Sequence, residues 1–79
     1  MKTLKELAPS ERGEVHSVTG TGSISRRLAE LGFIKGQPVQ VVRLAPLGDP
    51  VQVRIRGFDL ALRRQEAARV VIVQDSDKD

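Results

Sequence analysis

The stretch Val51-Gln52-Val53-Arg54-Ile55-Arg56-Gly57-Phe58-Asp59-Leu60-Ala61-Leu62-Arg63 decides the fold. From Val51 to Arg56, β-branched residues alternate with Gln, Arg and Arg, the period-two pattern of a strand with one buried face. Gly57-Phe58 reads as a two-residue turn of type II′, which takes glycine first. That turn sets Arg56 against Asp59, and on the inner face Ile55 against Leu60 and Val53 against Leu62, with Arg54 beside Ala61 outside. Each side chain then lies on the face its polarity requires, and an Arg56–Asp59 ion pair adds well under about 1 kcal/mol.

Upstream, Gln37 to Ala45 reads as another strand, entered through Lys35-Gly36 and left through Pro46-Leu47-Gly48-Asp49-Pro50. Val41 and Val42 are adjacent, so its facing is open; a bulge, or a loop one residue longer, pairs Val42 with Val53 and Leu44 with Val51. Glu14 to Thr19 and Arg69 to Gln74 supply further strands, and the Val-Val-Ile-Val run of the latter is expected to be covered on both faces. One helix is signalled between them. Ser23 serves as its cap, Ile24, Leu28 and Leu31 recur at i, i+4 and i+7, and Gly32 takes the left-handed C′ position, so that Phe33 packs back on Leu28. Arg26, Arg27 and Glu30 then face water. Arg64 to Ala68 and Lys5 to Ala8 read as single helical turns. Residues 1–74 form one domain, and the acidic tail 75–79, with nothing to bury, is expected to be disordered. About five short strands around a Val, Ile and Leu core predict a mainly β fold, a small bent barrel whose closure protects its edges.

The composition narrows what such a domain can do. The chain has 79 residues, no cysteine, one histidine, two phenylalanines, and 13 Lys and Arg against 10 Asp and Glu. Lack of cysteine removes disulfides and thiolate chemistry and fits a reducing cytoplasm. The longest unbroken aliphatic run, Val70 to Val73, is far short of the roughly 20 residues of a spanning helix, and no signal peptide is evident, so a cytoplasmic location without membrane insertion is expected. Apart from the acidic tail, the body carries 12 basic and 7 acidic residues. A surface of that sign suits an anionic partner.

Candidate sites are few. Catalysis is not expected, because His16 is the only side chain with an ordinary pKa near neutrality and its neighbour Ser17 points to the other strand face. Glu14 and His16, at i and i+2 on one face, could give a divalent metal two ligands, an incomplete and adventitious site on an otherwise solvated strand. No cofactor is required. Gly20-Thr21-Gly22-Ser23 resembles a phosphate loop but lacks the third glycine and any following Gly-Lys-Ser/Thr, so turn and cap needs account for it. Arg54, Arg56 and Arg63 form an outward stripe that makes nucleic acid the alternative partner. That alternative lacks aromatics on which bases could stack, both phenylalanines being expected to pack locally at turns. The loop Pro46 to Pro50 leaves two readings open: Leu47 projects as an aliphatic tip, or folds back as a plug at the barrel end.

Three runs carry a family resemblance: Arg27 to Gly36, Val41 to Pro50, and Leu60 to Arg63 followed by Glu66-Ala67. Together they resemble the FeoA family of bacterial ferrous iron transport over Leu7 to Gln74, the most specific piece being Ala45-Pro46-Leu47-Gly48-Asp49-Pro50. The resemblance implies an SH3-like barrel acting in the cytoplasm as an accessory to FeoB, the membrane transporter with a GTP-binding domain. The surface assigned to that partner is Pro46, Leu47, Gly48, Asp49 and Pro50 with Arg43 beside them, together with Arg26, Arg27 and Glu30 of the helix. Self-association through the Val70 to Val73 strand or an open barrel edge is a further expectation.

Overall fold

In the computed structural model, which describes residues 1–77, six strands and two helices surround one core. In chain order these are β1 (Lys2–Thr3), β2 (Arg12–Val18), α1 (Ser23–Leu31), β3 (Pro38–Leu44), β4 (Val51–Ile55), β5 (Phe58–Leu62), α2 (Arg64–Ala67) and β6 (Val70–Val73). All neighbours run antiparallel in the order β1-β6-β2-β3-β4-β5. The sixth strand is β1, whose two residues carry no hydrophobic signal; it pairs Lys2 with Ile72 and Thr3 with Val71. That pairing covers one side of β6, and β2 covers the other, so Val70–Val73 does not offer a free edge for self-association. Instead of a helical turn over Lys5 to Ala8, a 3-10 turn at Leu4–Glu6 follows β1. Asp75–Asp77, expected to belong to a disordered tail, form a further 3-10 turn in which Asp77 accepts the Gln74 N–H at 3.0 Å. Residues 78 and 79 of that tail lie outside the described residues.

Two bulges let so short a sheet curl around its core. One lies between Val41 and Arg43, where Val41 pairs with Val53, Leu44 pairs with Val51, and Val42 is the extra residue. Of the two alternatives open for this strand, a bulge or a longer loop, the bulge is the one present; Leu44 meets Val51 as expected, but Val41 rather than Val42 stands opposite Val53. The other lies between Val15 and Ser17, leaving His16 without a partner on β6. A bulge bends its strand and sharpens the local twist. Gly13, just before it, allows β2 and β6 to close in, since a Cβ there would stand 2.5 Å from Ile72 Cγ2 and from the Val73 carbonyl oxygen.

The hairpin differs from its sequence reading in register, though not in facing. Ile55 pairs with Phe58, Arg54 with Asp59, Val53 with Leu60 and Val51 with Leu62. The turn residues are Arg56 and Gly57, both left-handed at φ 53° and 82°, which is the type I′ geometry rather than type II′. The inner faces are unchanged because the shift moves each partner by two residues, a whole side-chain period. The ion pair changes hands: Arg54 donates from Nε to Asp59 Oδ1 at 2.8 Å and from Nη2 to Oδ2 at 3.2 Å. Phe58, expected to pack locally, is 67% exposed.

Helix α1 ends as its residues require. Gly32, at φ 112°, donates its N–H to Ala29, and Phe33 donates to Leu28, each at 3.0 Å. These are the two bonds of a Schellman motif, and both Leu28 and Phe33 are buried in the core. At the other end Gly22, not Ser23, is the capping residue. Val15, Val39, Val41, Val51, Val53, Ile55, Leu62, Val70 and Ile72 fill the sheet interior, closed by Leu4 and Leu7 from the amino-terminal segment. Val71 and Val73 are half-buried, so β6 is not fully covered on both faces.

Candidate protein-docking site

The loop between β3 and β4 is held at its base and at its tip. At the base, the Ala45 N–H donates to the Pro50 carbonyl at 3.1 Å, beside the Leu44–Val51 strand pair. At the tip, the Gly48 N–H donates to Ala45 at 2.8 Å, closing a four-residue turn with Pro46 and Leu47 in its middle. Leu47 has φ 68° and ψ 9°, the third position of a type II turn, where glycine is the usual occupant. A leucine there costs roughly 1 kcal/mol or more. Its side chain gains no burial in return, being 97% exposed. The plug reading is thereby removed: Leu47 is a projecting tip.

Asp49 fixes the loop against its neighbour. Its Oδ1 accepts the N–H of Arg64, the first residue of α2, at 3.1 Å. The far side of α2 is fixed by Glu66, which is 5% exposed. Glu66 Oε1 accepts the Arg63 N–H at 2.8 Å, and its Oε2 is paired with Arg27 Nη1 of α1. A buried carboxylate holding a helix start and a guanidinium is stable because both of its oxygens are satisfied. The four-residue helix α2 therefore stands between the loop and α1. Glu66 is the residue that sequence reasoning missed in this role. Its signal was present in the spacing from Arg63, since a glutamate three residues past a helix start reaches back to the backbone.

The structure places the other candidate residues as follows. Arg26, Arg27 and Glu30 are all exposed on α1, as expected, and Arg27 in addition reaches Glu66. Arg43 is exposed and donates from Nε to Gln52 Oε1 at 2.8 Å. The arginine stripe is dispersed: Arg54 is tied to Asp59, Arg56 lies against Gly32 at the exit of α1, and Arg63 stands beyond the opposite end of β5. Arg12, Arg54 and Arg56 do line a shallow groove on the outer sheet face, but Glu14 and Asp75 line it too. Val15 is buried between Glu14 and His16, so those two stay on the outer side of β2, while the bulge at His16 breaks the alternation expected to separate His16 from Ser17. His16 Nδ1 and Ser17 Oγ lie 3.2 Å apart. Among the described residues no group of three or more His, Cys, Asp or Glu could hold a metal ion, and no helix is long and apolar enough to cross a membrane.

A curled six-stranded antiparallel sheet with an apolar loop tip held by hydrogen bonds at its base and its turn defines a small β-barrel. The chain belongs to the FeoA domain family, whose model matches residues 2–74. It is 38% identical over 69 residues to the Fe(2+) transport protein A/Fe(2+) transporter FeoB fusion protein of Porphyromonas gingivalis, covering 87% of this chain and 8% of that protein. The structure resembles that of FeoA from Chlorobium tepidum, with a TM-score of 0.83 and 40% identity over 92% of this chain and 70% of that one. It also resembles the zinc complex of Stenotrophomonas maltophilia FeoA, with a TM-score of 0.83 and 40% identity over 92% of this chain and 91% of that one. That protein is described as an SH3-domain protein and a candidate activating factor for bacterial ferrous iron transport. The mainly β, SH3-like architecture expected from the sequence is the one found, with six strands instead of about five.

Proposed function

We propose that the chain is a non-enzymatic cytoplasmic accessory protein of ferrous iron uptake, which binds a FeoB-type GTPase transporter and modulates its transport without a resident cofactor. The observation that carries this reading is Leu47: an aliphatic side chain held in water, in a left-handed backbone conformation, within the loop that bears the family's most specific residues. A rigid tip loses little ordering entropy on docking, so strain accepted in the free protein favours a protein contact. The Porphyromonas gingivalis relative supports the choice of partner, because a transport protein A unit and a FeoB unit share one chain there. Arg26 and Glu30, exposed on α1, extend the proposed surface on the far side of α2. A divalent ion at Glu14 and His16 remains adventitious in this reading.

The test is co-purification of the full chain with full-length transporter from detergent extracts, joined to ferrous iron uptake with and without the gene. Association of the two proteins and reduced uptake in the deletion strain are expected. Unchanged uptake with no association overturns the reading.

A further inference from the structure

The loop end of the molecule is charged as well as apolar, and its exposed cations, Lys5, Arg43, Arg63 and Arg64, outnumber its exposed carboxylates, Glu6 and Asp49. Lys5, Asp49 and Arg64 line one shallow depression beside the tip. Arg63 precedes Arg64, and Arg43 precedes Leu44 at the loop base; Lys5, Arg43, Arg63 and Arg64 are all exposed. None of the four is in an ion pair among the described residues, whereas Arg27 and Arg54 are committed to Glu66 and Asp59. The nearby carboxylates are turned onto the backbone: Asp49 accepts the Arg64 N–H, and Glu6 accepts the Thr3 N–H at 2.8 Å. Both carboxylates keep their charge and are exposed, so the loop end carries an excess of cations beside one projecting leucine, four against two.

We infer that the receiving site on the partner is an aliphatic pocket rimmed by carboxylates, filled by Leu47 and bounded by Lys5, Arg43, Arg63 and Arg64. This rests on the reading that the loop is the transporter-binding surface, and it names the chemistry of the other side. An anionic bilayer would also attract the cations, yet it fits this end poorly. A fluid surface gains nothing from a backbone fixed by three hydrogen bonds, and one leucine offers little area for insertion. A pocket rewards both fixed position and a single well-aimed side chain, while complementary charge sets orientation and encounter rate.

The inference is tested by titrating the full-length protein against purified transporter in detergent at about 50 and about 300 mM salt. Three variants accompany the wild type: Leu47→Asn, whose new residue tolerates the left-handed backbone, the double change Lys5→Glu with Arg64→Glu, and Arg12→Glu in the sheet groove as a control. Wild-type affinity is expected to fall on the order of tenfold with the added salt. The double charge reversal should lose at least about tenfold at low salt and most of the salt dependence. Leu47→Asn should lose about tenfold at both salt concentrations with the salt dependence kept. Arg12→Glu should bind as wild type. If all variants bind as wild type, the inference fails while the transporter reading stands. If the wild type does not bind the transporter at all, that reading fails and takes this one with it. If the wild type instead binds phosphatidylglycerol vesicles free of transporter, and the variants lose that binding, the surface faces lipid and the carboxylate-rimmed pocket is overturned.

Discussion

Two residues at opposite ends of β4, Leu47 and Arg56, share an unusual backbone. Both are left-handed without being glycine, at φ 68° and 53°, and each sits in a tight turn next to a glycine. At Arg56 the conformation serves the fold: it sets the hairpin register and lays the side chain against Gly32, where α1 ends. A guanidinium at a helix carboxy terminus is also favourably placed in the helix field. At Leu47 nothing comparable is gained, because the side chain stands in water. Strain that the fold uses is a structural device, whereas strain that the fold does not use directs attention to something outside it.

The Arg56 end should therefore be sensitive to substitution and the Leu47 end indifferent to it. The largest effect is expected for Gly32→Ala. Its φ of 112° is poorly suited to alanine, and the added Cβ would come within 2.8 Å of Arg56 Cδ. Urea unfolding should show a loss of about 2 kcal/mol, and a loss near zero would mean that Arg56 is not held there. A smaller effect is expected for Asp59→Asn, and it should depend on pH. The hydrogen bonds from Arg54 hold the Asp59 carboxyl below its usual range, so its contribution is present above the unfolded value near pH 4 and is lost as pH falls through the folded value. Melting temperatures of wild type and variant should differ at pH 7 and converge near pH 2; an equal gap at both would show that the pair does not titrate with folding. The smallest effect is expected for Leu47→Asn, with stability unchanged or raised by up to about 0.5 kcal/mol. A clear loss of stability there would place the leucine in the fold after all and erase the contrast.

Much of the architecture was legible because polarity along a strand reports facing. Val51, Val53 and Ile55 declare one face of β4 however the hairpin is paired, and the Leu28, Gly32 and Phe33 spacing declares the exit of α1. The hairpin register was not legible, since pairing Val53 with Leu60 or with Leu62 satisfies the same alternation. Only the left-handed Arg56 selects between them. The bulge at His16 was likewise silent, because a bulge in this strand leaves no mark in composition, and it rearranged the relation of His16 and Ser17. In the candidate site, the loop was legible from its two prolines and Gly48, and Asp49 and Glu66 had recognisable acceptor chemistry. Their partners, the Arg64 N–H and the Arg27 guanidinium, were not legible, being 15 and 39 residues away in the chain.

The sequence by itself determined a mainly β domain, the facing of its long strands and the helix exit at Gly32. Those properties follow from local periodicity and residue inventory, which act at short range along the chain. The tertiary structure alone decided that Leu47 projects, that Phe58 is exposed, that Arg27 is bound to Glu66, and that the arginine stripe is dispersed. Each of these depends on what stands opposite a side chain after the sheet has curled, and the curl is set by bulges and turns whose conformations neighbouring residues do not dictate.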